Sequence, residues 1–143
     1  MLLGEHDHSL DEKNRLTLPA KLRGPFEDGV VVTRGLDGCL EAYPRSTWQA
    51  LAERIGALDS LSADSRLLKR RVFAGSSQAE LDRQGRLVLP TKLLEQAAIT
   101  REVAVIGVHD HLEIWDRATW RELVKDVEGR AEDVAERLAA KRD

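Results

Sequence analysis

Apolar positions along this chain fall into two matching sets. In the first, loose alternation over residues 5–10 predicts a strand, and Arg15-Leu16-Thr17-Leu18 alternates again after a short polar interruption. Gly29-Val30-Val31-Val32-Thr33 is an apolar run of strand length, suited to burial on both faces, and Leu40-Glu41-Ala42-Tyr43 follows it across an Asp37-Gly38 turn. Trp48 and Leu51 then fall at helical spacing, and Ser46 with Gln49 has the form of a capping box. The second set repeats this order: Arg86-Leu87-Val88-Leu89, then Val103-Ala104-Val105-Ile106, a His109-Asp110 turn, and Leu112-Glu113-Ile114-Trp115. A helix capped by Asp116 follows, with Trp120, Leu123, Val124 and Val127 as its core-facing stripe. Pro19 and Pro90 cannot extend a central strand; each suits the first position of a short helix, through Lys21-Leu22 and Lys92-Leu93-Leu94 respectively. Between the sets, Ser62-Ala63-Asp64-Ser65 reads as the start of a bridging helix. Its run Arg66-Leu67-Leu68-Lys69-Arg70-Arg71 reads as a solvated face over one apolar face. Residues 128–143 mix charges densely around Val134 and Leu138, as in a surface helix that frays or rests on a neighbouring subunit.

The two sets are an internal duplication. Leu10-Asp11-Glu12-Lys13-Asn14-Arg15-Leu16-Thr17-Leu18-Pro19-Ala20-Lys21-Leu22 returns, at an offset of 71, as Leu81-Asp82-Arg83-Gln84-Gly85-Arg86-Leu87-Val88-Leu89-Pro90-Thr91-Lys92-Leu93. At an offset of 72, Gly35, Leu40, Glu41, Arg45, Thr47, Trp48 and Leu51 recur as Gly107, Leu112, Glu113, Arg117, Thr119, Trp120 and Leu123, and Tyr43 is answered by Trp115. A unit of about 45 residues buries little core by itself, so the halves are expected to pack on each other as an intrachain pseudo-dimer. The expected class is α+β, with duplicated ββαβ-type halves over residues 5–47 and 76–119. A linking helical segment over 52–75 and a C-terminal helix over 120–143 complete the division.

Composition changes this picture little. The chain is 42% hydrophobic and 33% charged, ordinary for a soluble globular protein. No apolar run approaches the roughly 20 residues that span a bilayer, and Met1-Leu2-Leu3-Gly4-Glu5-His6-Asp7 turns polar too early for a signal peptide. A single Cys39 fits a reducing cytoplasm. The formal charge of −3 argues against non-specific coating of nucleic acid. Residues 9–23 depart from that balance, with Lys13, Arg15, Lys21 and Arg23 against Asp11 and Glu12.

Catalytic chemistry finds little support. His6-Asp7-His8 and His109-Asp110-His111 offer imidazoles two residues apart, which on a strand share a face and so could share a metal ion. They stand at different places in their halves, however, and no further ligand motif joins them. No nucleophile elbow or phosphate-cradling glycine loop is present, and no cofactor is expected. The repeated Asp-x-x-x-Arg turn is more informative. Asp folds its carboxylate onto nearby N–H groups, Asn14 and Gly85 both accept φ > 0, and Arg15 and Arg86 open the return strands. Either arginine can pin its turn by pairing with Asp11 or Asp82, or can grip a phosphate or guanine edge, and the two roles are compatible. Lys13 and Arg83 would then contact phosphate, and Asn14 an adenine edge or phosphate.

With its Asp-x-x-x-Arg-x-x-x-Pro pattern present twice, the chain resembles the MraZ family, which carries two SpoVT-AbrB-type half-domains. Leu3-Gly4, Tyr43-Pro44, Phe73-Ala74-Gly75 and Ile114-Trp115-Asp116 extend the resemblance over nearly the whole chain. It implies a swapped-hairpin, AbrB-like β-barrel with peripheral helices and ring-shaped homo-oligomers. It also implies a non-enzymatic, cytoplasmic and nucleoid-associated regulator that binds promoter direct repeats of the bacterial cell-division and cell-wall gene cluster. The DNA-contacting motif falls on Asp11 to Arg15 and Asp82 to Arg86, making Lys13, Asn14, Arg15, Arg83 and Arg86 the contact residues and Asp11 and Asp82 the turn-orienting ones. Asn14 departs from the usual Gly. A ring reading tandem elements gains affinity by effective concentration, which reconciles an acidic protomer with a DNA partner. The competing expectations are a ring-forming protein-interaction module and, on the His-Asp-His triplets alone, a metal-dependent hydrolase.

Overall fold

A computed structural model of the chain describes residues 1–142. Eight strands are present among the described residues: β1 (Glu5–Ser9), β2 (Arg15–Thr17), β3 (Val30–Arg34), β4 (Leu40–Pro44), β5 (Ser77–Ala79), β6 (Arg86–Val88), β7 (Glu102–Gly107) and β8 (Leu112–Asp116). Four α-helices accompany them: α1 (Arg45–Gly56), α2 (Ala63–Ala74), α3 (Thr91–Gln96) and α4 (Arg117–Arg142). The fold is α+β. Each half reads β-β-helical turn-β-β-α, one strand and one helix more than the expected ββαβ unit.

The six-stranded sheet has the order β1-β7-β8-β4-β3-β5, and β2 pairs with β6 in a separate ribbon; every pairing is antiparallel. Each half supplies one central hairpin, β3–β4 or β7–β8. The first strand of each half lies on the other half's hairpin, β1 along β7 and β5 along β3. Two registers are self-mirrored: Leu16 faces Leu87 in the ribbon, and Glu41 faces Glu113 where β4 meets β8. A pseudo-two-fold axis therefore passes through both places.

Strand alternation sorts the side chains. Leu16 and Leu87 point from the ribbon into one core together with Leu40, Ala42, Leu112 and Ile114 from the central strands and Val30, Val32, Val103 and Val105 beside them. The outer sheet face is covered in two patches. Val31, Tyr43 and Trp48 pack with Leu51 and with Val72 of α2, and Trp48 meets Tyr43 at 5.8 Å and Phe73 at 6.4 Å between ring centroids. Ala104, Ile106 and Trp115 pack under Trp120 and Leu123 of α4. Both tryptophan-bearing helices thus clamp the sheet from outside. No helix among the described residues is long and apolar enough to cross a membrane.

Several local expectations need correction. Ser46 is not a cap: β4 runs to Pro44, α1 begins at Arg45, and no side chain caps it. Pro19 and Pro90 occupy the N-cap position rather than the first helical one; the expected short helices follow them, as a 3-10 turn at Ala20–Leu22 with a second at Gly24–Phe26, and as α3. The C-terminal helix begins at Arg117, next to its expected cap, and runs unbroken to Arg142; residue 143 lies outside the described residues. The inward stripe of α4 ends at Val124, since Val127 is exposed. Asp116 does cap α4, its Oδ2 accepting from the Thr119 N–H at 3.1 Å and the Thr119 hydroxyl at 3.0 Å. Ser62 likewise caps α2 through Ser65 N–H at 3.3 Å.

Candidate nucleic-acid interface

The two copies of the Asp-x-x-x-Arg turn close by the same set of bonds. Asp11 Oδ1 accepts from the backbone N–H of Lys13 and of Arg15, both at 2.9 Å, and Asp82 Oδ1 accepts from Gln84 and Arg86 at the same distance. The other carboxylate oxygen takes the arginine Nε–H at 2.6 Å in each copy, Arg15 to Asp11 and Arg86 to Asp82. Backbone bonds Asn14 N–H to Asp11 O at 3.0 Å and Gly85 N–H to Asp82 O at 2.9 Å complete the turns. These donors, the Arg15 and Arg86 backbone N–H groups first, hold both aspartate carboxyls below their ordinary range against a smaller opposing effect of burial. The fourth turn residue is left-handed in each copy, with φ 58° at Asn14 and 76° at Gly85.

The ribbon then aims the arginines. Arg15 stands opposite Val88 and Thr17 opposite Arg86, so these four side chains share the face away from Leu16 and Leu87. With both leucines fully buried, that face is the solvent side. Strand spacing and rise place the two arginine Cα atoms about 8 Å apart. Only Nε of each guanidinium is engaged, leaving the terminal nitrogens without a hydrogen bond among the described residues. The pairing is thus both a pin and an orienting bracket. Coupling between the halves continues past the ribbon: Leu18 N–H donates to Gly85 O and Leu89 N–H to Asn14 O, both at 2.9 Å.

Lys13 and Arg83 project from the exposed turn tips. Asn14 is tied across the halves, its Nδ2 donating to Thr91 Oγ1 at 3.5 Å. Sequence reasoning did not single out two further basic residues here. Arg23 donates from Nε to Leu18 O at 2.8 Å and lies flat over Gly85. Its place in the net-positive stretch of residues 9–23 was the available signal. Arg101 joins Asp11, Glu12, Lys13 and Arg15 around a shallow groove, brought there by the Leu10 N–H bond to its carbonyl at 2.8 Å. No local pattern announces it. The basic groups therefore divide as Lys13, Arg15 and Arg101 at one turn and Arg23, Arg83 and Arg86 at the other.

The His-Asp-His triplets do not converge. Among the described residues one group has metal-ligand spacing, Glu41, His111 and Glu113, and it includes neither His6, His8 nor His109.

The family model described as "MraZ protein, putative antitoxin-like" matches residues 1–71 and again residues 72–142, so that each of its copies contains one Asp-x-x-x-Arg turn. The chain belongs to the MraZ family. It is also similar to the protein named Transcriptional regulator MraZ of Pediococcus pentosaceus (strain ATCC 25745 / CCUG 21536 / LMG 10740 / 183-1w), 41% identical over 138 residues that cover 96% of each chain. MraZ proteins are a family of transcriptional regulators rather than enzymes.

Proposed function

We propose that this MraZ-family chain is a sequence-specific DNA-binding transcriptional regulator that reads promoter direct repeats of the cell-division and cell-wall gene cluster through its two Asp-x-x-x-Arg loops. The observation that carries the reading is the ribbon face: two arginines whose Cα atoms stand about 8 Å apart, each guanidinium held at Nε by an aspartate and without a hydrogen bond at its terminal nitrogens among the described residues. Such a group can grip a guanine edge or a phosphate bidentately with little further ordering. Arg15 and Arg86 take the base-reading role, Lys13, Asn14 and Arg83 contact the backbone or adjacent bases, and Asp11 and Asp82 orient the turns. In this reading the halves are SpoVT-AbrB-type units, and the exchanged pairings of β1 and β5 support a swapped-hairpin barrel. The protein acts in the cytoplasm at the nucleoid, as a ring-shaped homo-oligomer, without a cofactor.

A mobility-shift titration on a promoter fragment carrying the repeats tests this. Arg15→Ala and Arg86→Ala should keep the fold and assembly yet weaken binding, each lost base contact costing roughly 1–3 kcal/mol, and should reduce the slope of affinity against salt. Wild-type affinity and slope in both variants would remove the loops from the interface. The alternative, a ring that docks a protein partner, draws on the bare apolar stripe of α4 formed by Val127, Ala131, Val134 and Leu138. It predicts no steep salt dependence on the repeat-bearing fragment.

A further inference from the structure

On the far side of the core from the DNA-facing ribbon, the two tryptophan-clamped patches leave a polar seam between them. Glu41 and Glu113 meet there as direct cross-strand partners on the pseudo-two-fold axis. Like charges directly opposite each other on one sheet face are unfavourable, so something of opposite charge is called for. His111 lies over the pair, on the same face of β8 and its preceding turn. Three ligand atoms, one from each of Glu41, His111 and Glu113, fall within 4.8 Å of one another.

Each of the three is held from behind by a different neighbour. Asp110 Oδ1 takes His111 Nδ1 at 2.7 Å, which fixes the ring and leaves Nε2 turned inward. Trp115 Nε1 donates to Glu113 Oε1 at 2.9 Å, and the Tyr43 hydroxyl donates to Glu41 Oε1 at 3.4 Å. Tyr43 also stacks on the imidazole at 4.6 Å. His111 Nε2 is buried and has no hydrogen-bond partner among the described residues, with Glu41 Oε2 3.4 Å away. A histidine backed by a carboxylate, with its inner nitrogen unused beside two braced carboxylates, is the arrangement of metal ligands and their supporting shell. A cavity of about 290 Å³ lined by Cys39, Glu41, Tyr43 and Glu113, among others, reaches the two carboxylates.

We propose that Glu41, His111 and Glu113 form a binding site for one divalent cation of the Zn2+ class. One imidazole and two carboxylates suit that class, with water in the remaining position. Bonds of about 2.0–2.2 Å need ligand atoms about 3.4 Å apart, so closing the site takes side-chain adjustment of roughly 1 Å and no backbone movement. The cation bridges β4 and β8 and ties the halves together at the seam. It stands apart from the proposed DNA-binding reading, because the loops lie across the core.

The test is a titration of the metal-stripped full chain with Zn2+ against a chromophoric chelator. The expected result is one Zn2+ per protomer, with binding weakened on the order of 100-fold in His111→Gln and in Glu113→Gln. Zn2+ should also raise the melting temperature of wild type and of neither variant. Glu113→Gln removes one of two facing carboxylates and keeps an oxygen for Trp115, so the metal-free variant folds. Arg86→Ala, in the loops, should bind Zn2+ as wild type does. A wild-type chain that takes up no Zn2+, or seam variants that bind it as tightly as wild type, would overturn the site and leave a proton as the only cation there.

Discussion

Gly85 and Asn14 occupy the same position in two copies of one turn, and different neighbours hold them. A Cβ on Gly85 would fall 2.1 Å from Arg23 Nε, while Asn14 already carries a side chain and spends it on Thr91. The difference traces to the duplication, because the residue matching Arg23 in the second half is Leu94, which is buried in the core. Gly85→Ala therefore strains a left-handed residue, at roughly 1–2 kcal/mol, and also dislodges the Arg23 guanidinium from its perch. Urea denaturation should record the destabilisation, and operator affinity should fall with it. Asn14→Gly, which removes only a long hydrogen bond, should leave stability nearly unchanged. Equal effects from the two substitutions would mean that Arg23 does not lock its turn.

At the scale of the element, each turn is a carboxylate with three donors wrapped round it. Its stability contribution carries a defined pH sign. The folded pKa of Asp11 and of Asp82 lies below the unfolded value of about 3.9, so the contribution is fully present above that value and is lost as pH falls through the folded pKa. Amide exchange at Lys13, Arg15, Gln84 and Arg86 should lose protection in that acidic window, while strands β7 and β8 hold longer. Carboxyl titration midpoints at or above about 3.9 would contradict the bonding scheme. Much of this element was legible in the sequence. The carboxylate at the first turn position, the φ > 0 residue at the fourth and the alternation of the return strand are local signals, and local signals survive in a single chain. What failed was governed by chain neighbours or by distant contacts. Ser46 with Gln49 matched a capping box, but β4 extends to Pro44 and passes directly into α1, which puts Ser46 inside the helix. The placement of Arg101 beside Lys13 depends on a strand register between the halves, which periodicity cannot encode.

For the whole molecule, under the proposed function, the deciding quantity is how many loops meet DNA at once. A protomer of formal charge −3 with three basic groups at each turn has little general attraction to DNA, and its contacts are confined to one face. Affinity must come from repetition. α4 supplies a surface for it: beyond Val124 the helix leaves the core, and Val127, Ala131, Val134 and Leu138 recur on one side of it around an apolar groove. Val127 and Leu138 are 49% and 58% exposed in the lone chain, an apolar stripe of the kind that self-association covers. Replacing Val134 and Leu138 with Glu leaves the Trp115–Trp120 clamp untouched, so the protomer should fold with wild-type circular dichroism while sedimentation shows smaller species. On a fragment with tandem repeats, binding should drop by about 10² to 10⁴, the range that effective concentration supplies, whereas on a fragment with one element the change should be small. A variant that stays fully assembled would move the contact between copies off this stripe. A variant that disassembles but binds tandem repeats undiminished would mean that one protomer, with its paired arginines alone, reads the operator.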